Sequence, residues 1–163
     1  MKASDFSGLV PECCTEVLDA MYFTTVNGTE LQEPATTTDT ETTEAPDAEK
    51  PLAYSLNYMG DISGRFGLSL KQDTAHSLAA NFLGEEAEDI SSKEIHEVVG
   101  ELTNMFCGSV MSRVEGENKF VLSHPEAVRS QPYSETDDVL VSRLDTDGGV
   151  ITVWVVVEGK SCQ

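Results

Sequence analysis

Between residues 92 and 113 the apolar positions Ile95, Val98, Val99, Leu102, Met105, Phe106 and Val110 recur at the spacing of one broad helix face. Ser91 and Glu94 have capping-box spacing, so the longest helix is predicted from about Ser92 to Arg113. Residues 8–23 predict another helix, with Val10, Val17, Leu18, Met21 and Tyr22 roughly on one side and Pro11 in the first turn, where its missing N–H costs nothing. A third helix is predicted from Asp73, a good N-cap, through Ala75, Leu78, Ala79 and Phe82 to Gly84, with an acidic loop at 85–89 after it.

Strand patterns separate these helices. Leu52, Tyr54, Leu56 and Tyr58 alternate with smaller or polar residues, Gly60-Asp61 makes a turn, and Ile62, Gly64, Phe66, Leu68 and Leu70 follow at period two. The stretch KFVLSHP at 119–125 is strand-like until Pro125, and 138–158 reads as a hairpin turning at Asp147-Gly148 into a Val-rich strand with Trp154. Hairpins without alternating strand–helix crossovers predict an α+β fold, a mainly antiparallel sheet with helices packed on it. The stretch QEPATTTDTETTEAPDAEKP, at about 32–51, holds no large apolar residue and cannot offset its own ordering entropy. It is expected to be a flexible Thr- and acid-rich insertion within a single domain spanning 1–163.

Charge narrows the function classes. Twenty-nine acidic against ten basic residues give a formal net charge of −19. No Lys/Arg cluster exists to neutralise phosphates, which argues against nucleic acid and against anionic membrane surfaces. The apolar runs are too short to span a bilayer, and MKASDFSGLVPECC lacks a sustained apolar core, so neither a membrane span nor a signal peptide is expected. The four cysteines, Cys13, Cys14, Cys107 and Cys162, match no zinc or redox spacing and read as reduced cytosolic thiols used for packing. His76, His96 and His124 form no ligand pattern, and His96 is expected to have a surface or salt-bridge role. Asn27-Gly28-Thr29 fits a glycosylation pattern but reads as a turn.

Candidate chemistry lies on the long helix. At ~100° per residue, Glu97, Glu101, Asn104 and Gly108 share a stripe opposite the apolar face, with Glu101 and Asn104 one turn apart. Gly100 and Gly108 each cost about 1 kcal/mol against Ala in a helix interior. Gly108 would leave a smooth patch beside Asn104 for a partner's backbone, while Gly100, nearer the side of the stripe, suits close packing against another helix.

Glu101-Leu102-Thr103-Asn104-Met105, with Gly100 before it and Gly108 after, resembles the active-site helix of the CheX branch of the CheC/CheX/FliY chemotaxis phosphatase family. Gly60-Asp61-Ile62-Ser63-Gly64 resembles that family's first hairpin, 75–84 its following helix, and Leu122-Ser123-His124-Pro125 its next strand. The resemblance implies a CheC/CheX-like fold and a phosphatase acting on the aspartyl phosphate of a CheY-like receiver domain. By correspondence Asn104 would hold the attacking water and Glu101 would pair with the receiver's lysine. Glu97 and Gly108 would contact the receiver, which itself supplies Mg2+, so no metal or cofactor is expected on this chain. The resemblance also implies a homodimer formed by sheet extension. The Val-rich last strand is compatible with that, though sequence alone does not place it at an edge. Glu16 and Asp19 resemble a second, weaker copy of the pair, with Asp19 departing from the required amide. One alternative is a non-catalytic receiver-binding or assembly module related to flagellar-switch proteins. Another is an acidic interaction domain, which would bury or separate Glu101 and Asn104.

Overall fold

The computed structural model describes residues 2–32, 51–114, 120–128, 133 and 137–160, so nearly all of the expected insertion, 33–50, and Cys162 lie outside the described residues. A 3-10 turn at Ala3–Phe6 leads into α1 (Leu9–Met21) and β1 (Val26–Gln32). The hairpin β2 (Leu52–Met59) and β3 (Ile62–Leu70) follows, then α2 (Gln72–Leu83), a 3-10 turn at Ala87–Asp89 and α3 (Ser92–Val114). The short strands β4 (Val121–Leu122) and β5 (Glu126–Ala127) precede the hairpin β6 (Asp138–Thr146) and β7 (Gly149–Lys160).

Local chemistry sets the helix ends. The Ser91 hydroxyl accepts from the Glu94 N–H at 3.1 Å while the Glu94 carboxylate accepts from the Ser91 N–H at 2.9 Å, the expected capping box of α3. Gly84 ends α2 in the left-handed region with φ 69°, and the N–H groups of Gly84 and Glu85 both close on the Ala80 carbonyl. The start of α2 differs from expectation. Lys71 occupies the N-cap without a side-chain bond and Asp73 lies inside the first turn, where its charge still favours the helix N-terminus. In α1 the buried positions are Val10, Cys13, Cys14 and Leu18, followed by Tyr22, whereas Met21 points outward.

The sheet runs β1-β6-β7-β3-β2-β4, with β5 also on β2 and every pairing antiparallel. The Val-rich β7 is central, between β6 and β3, and the edges are β1 at one side and β4 with β5 at the other. Its near-continuous apolar run reflects burial on both faces. Ile151, Val153, Val155 and Val157 join α1, α2 and α3 in the main core, while Trp154 and Val156 form a smaller cluster behind the sheet with Ala53 and Val141.

Pairing also corrects smaller expectations. Asn27 and Gly28 are not a turn but lie in β1 at a register irregularity against β6. Pro125 interrupts rather than ends the strand after α3, because both β4 and β5 pair with β2. On β3, Gly64 lies opposite Tyr58 of β2, whose hydroxyl donates to the Val156 carbonyl at 2.8 Å. Gly67 lies opposite Trp154 on the other side. Each glycine yields the room over its Cα to a large aromatic ring.

Candidate functional site

The buried residues of α3, Val98, Val99, Gly100, Leu102, Thr103, Phe106, Cys107, Val110 and Met111, face the core, which fixes what the opposite side can present. Glu97 and Glu101 are exposed, and Asn104 and Gly108 are half-buried on the same side. Among the described residues, the Glu101 carboxylate and the Asn104 carboxamide make no hydrogen bond or ion pair to this chain. Their Cβ atoms are separated by about 5–6 Å, as for any pair one helical turn apart. An anion and a neutral group that both donates and accepts hydrogen bonds therefore stand side by side, open to another molecule.

The two glycines divide differently from the sequence reading. Gly100 packs against a strand rather than a helix, since a Cβ there would lie 3.6 Å from Tyr54 of β2 and 3.9 Å from Pro125, ordinary contact distances. A Cβ at Gly108 would meet only Leu122, at 4.0 Å. Nothing described in the fold therefore requires Gly108 to be small.

Helix α1 runs antiparallel alongside α3. The Cys13 thiol approaches the Ser109 carbonyl at 3.8 Å, and Arg113 bridges to Glu12 at 3.6 Å and to Glu16. At the other end, Tyr22 stacks on Phe82 with ring centroids 4.7 Å apart. Burial, and then the charge of Glu101, push the Tyr22 phenol well above its usual pKa. Its hydroxyl is buried without a hydrogen-bond partner among the described residues. Sequence reading counted Tyr22 only as an apolar position; its approach to Glu101 depends on the helix pairing, which no local pattern reveals.

The resembling pair on α1 is brought to the surface but not left free. Glu16 and Asp19 are exposed, yet Glu16 is held by Arg113. His96 is not a surface ion-pairing residue. Its Nδ1 lies 2.7 Å from the Tyr54 hydroxyl, part-buried beside Gly100. The thiols of Cys13, Cys14 and Cys107 are buried, and desolvation raises the pKa of each. Among the described residues no group of three or more His, Cys, Asp or Glu side chains is placed to hold a metal ion, and no helix is long and apolar enough to cross a membrane.

A family model described as chemotaxis phosphatase CheX matches residues 53–144, which include α3 and its stripe. No curated protein matches the chain. Among solved structures the chain is similar to a chemotaxis protein CheX from Desulfovibrio desulfuricans, at 17% identity and TM-score 0.69 over 94% of this chain and 99% of that one. It is similar to a CheX from Vibrio vulnificus at 18% identity and TM-score 0.68, over 94% and 97%. It also resembles CheX in a complex with CheY, BeF3 and Mg2+ from Borrelia burgdorferi, at 18% identity and TM-score 0.66, over 94% and 97%. At such identities these likenesses establish the fold, an open antiparallel sheet with helices of the CheX/CheC kind.

Proposed function

Since the chain belongs to the CheX chemotaxis phosphatase family, we propose that it hydrolyses the aspartyl phosphate of a CheY-like receiver domain. The observation that carries this reading is the unpartnered carboxylate and carboxamide of Glu101 and Asn104, one turn apart on the solvent side of α3. An acyl phosphate is a reactive mixed anhydride, so catalysis needs positioning and charge control more than covalent chemistry. The Asn104 carboxamide orients a water in line with the scissile bond. The water oxygen forms the new P–O bond as the aspartyl O–P bond breaks. The receiver's carboxylate leaves, and the water proton passes to the released phosphate or to solvent. A neutral amide does this without bringing negative charge near the phosphoryl oxygens.

Glu101, one turn back, meets the receiver's lysine and fixes the register of the helix across the pocket. Glu97 extends the anionic side of that contact. The metal ion belongs to the receiver, and this chain contributes no ligand to it. A receiver substrate places the protein in the cytoplasm. The family resemblance also implies a homodimer, for which the outer edge of β1 rather than β7 is available for sheet extension. Light scattering after size exclusion checks the mass.

The direct test is phosphate release. A CheY-like receiver is phosphorylated with a small-molecule donor, the donor is removed, and acid-labile phosphate is followed with and without this protein. Shortened phosphoryl lifetime is expected. Receiver binding with an unchanged lifetime would instead establish the non-catalytic binding module.

Gly108 gives a second, graded prediction. Gly108→Ala fits beside Leu122 and should raise stability by about 0.5–1 kcal/mol through helix propensity. If the receiver's backbone packs on Gly108, the same change lowers kcat/KM for the phosphorylated receiver about tenfold, or ~1.4 kcal/mol. A stabilised variant with undiminished kcat/KM removes Gly108 from the interface.

A further inference from the structure

The end of α1 departs from the usual chemistry of a helix terminus. The N–H groups of Tyr22 and Thr24 both bond to the Leu18 carbonyl, at 3.1 and 3.0 Å, and Phe23 between them turns through the left-handed region with φ 48°. Glycine normally fills such a position, because a side chain there crowds the backbone. This fold follows that rule at the end of α2, where Gly84 has φ 69°. Phe23 is the sole non-glycine residue with positive φ among the described residues, and it is bulky.

Internal packing does not compensate for this conformation. Phe23 is 73% exposed, although Tyr22 before it and Thr24 after it are buried. Met21 and Leu83, at the ends of α1 and α2, are also exposed apolar residues. The Tyr22–Phe82 stack ties these two helix ends together, and the antiparallel pairing of α1 with α3, with Cys13 beside Ser109 and Glu16 beside Arg113, sets the end of α1 alongside the N-terminal half of α3, which carries Glu97 and Glu101. Phe23 thus stands at the end of α1 that flanks the Glu97–Glu101 half of α3. Strain that the fold does not use internally is characteristic of a recognition surface.

We propose that Phe23 is an aromatic docking anchor that seats on apolar surface bordering the receiver's phosphorylation pocket, next to the lysine met by Glu101. This rests on the receiver reading of the ridge. Continuity with Glu101 selects the receiver as occupant. A second copy of this chain is disfavoured because its own face would bring Asp19, Glu97 and Glu101, all exposed carboxylates, against the same groups. Phe is among the aromatic residues enriched in protein–protein interfaces, where a few buried anchors carry most of the binding energy.

The test measures affinity and stability together. CheY-like receivers from the same genome are loaded with beryllofluoride and Mg2+ and titrated with wild type, Phe23→Gly and Phe23→Asn by calorimetry. Both replacement residues tolerate the left-handed turn, so at least one folded variant is expected. Phe23→Gly should raise the unfolding midpoint by about 3 °C. Both variants should weaken Kd by at least about tenfold. Wild-type affinity in both variants overturns the anchor while leaving the hydrolytic reading intact. A variant that changes only the dimer mass assigns Phe23 to self-association and also overturns it. Receiver binding that depends on Phe23 without accelerated phosphate release supports the anchor and removes hydrolysis alone. No receiver bound by wild type overturns both.

Discussion

Asn104→Ala leaves the phosphoryl lifetime of the receiver within experimental reach of its value without the protein, and the variant folds as wild type does. The loss of catalysed rate should be on the order of 100-fold or more, since misplacing one reacting group commonly costs that much. Stability should change by less than about 0.5 kcal/mol, because Asn104 is half-buried, makes no hydrogen bond among the described residues, and is replaced by a better helix former. Asn104→Asp separates the two properties ascribed to the amide. Aspartate is nearly isosteric and can accept from water, yet it carries charge toward the phosphoryl oxygens, so it too should be inactive. Activity in Asn104→Asp would mean that shape alone suffices. Undiminished phosphate release by Asn104→Ala would remove the proposed water-holder, whatever the protein then does to the receiver. Loss of rate accompanied by an equal loss of stability would mean that the fold, not the chemistry, was damaged.

Gly64→Ala has the largest expected effect on folding. Its new methyl group would run into the Val156 carbonyl and lie 2.6 Å from the Tyr58 hydroxyl. The carbonyl is backbone in the central strand, so it cannot move without disturbing the sheet. Tyr58 would have to leave a fully buried position and give up its 2.8 Å bond to that same carbonyl. Overpacking and loss of a buried hydrogen bond act together, and about 3 kcal/mol or more of destabilisation is expected. Urea unfolding followed by tryptophan fluorescence would report it, because Trp154 lies in β7 near the disturbed pairing. Tyr58→Phe combined with Gly64→Ala should recover part of the loss by withdrawing the hydroxyl. An unfolding free energy within about 0.5 kcal/mol of wild type, on the scale of a neutral surface substitution, would show that β3 and β7 are not held as tightly as this pairing indicates.

What could be read in advance depended on whether the information was local. The capping box at Ser91 and Glu94, the Gly84 helix end and the Asp147-Gly148 turn are each decided by a few adjacent residues, and each stands where the sequence put it. The antiparallel sheet and the exposure of Glu101 follow from periodicity over longer windows. Strand β1 was not predicted, because 26–32 has only one partly buried large apolar side chain and is held by backbone pairing to β6 rather than by a hydrophobic pattern. The place of the Val-rich strand in the sheet was left open by sequence; its apolar run on both faces fits the centre, where β7 lies between β6 and β3 with the Trp154 cluster behind it. The contacts of His96 and Tyr22 were not legible for one reason. Their partners, Tyr54 and Glu101, lie 42 residues away and on a separately packed helix respectively.

The clasp of Arg113 on Glu16 bears on stoichiometry. Two acidic helices lie side by side, but the arginine spends the carboxylate of one in joining them and leaves the other's unencumbered. With the proposed receiver contact confined to α3, each subunit would have a valence of one, and a titration should saturate at a single receiver per polypeptide, however many subunits assemble.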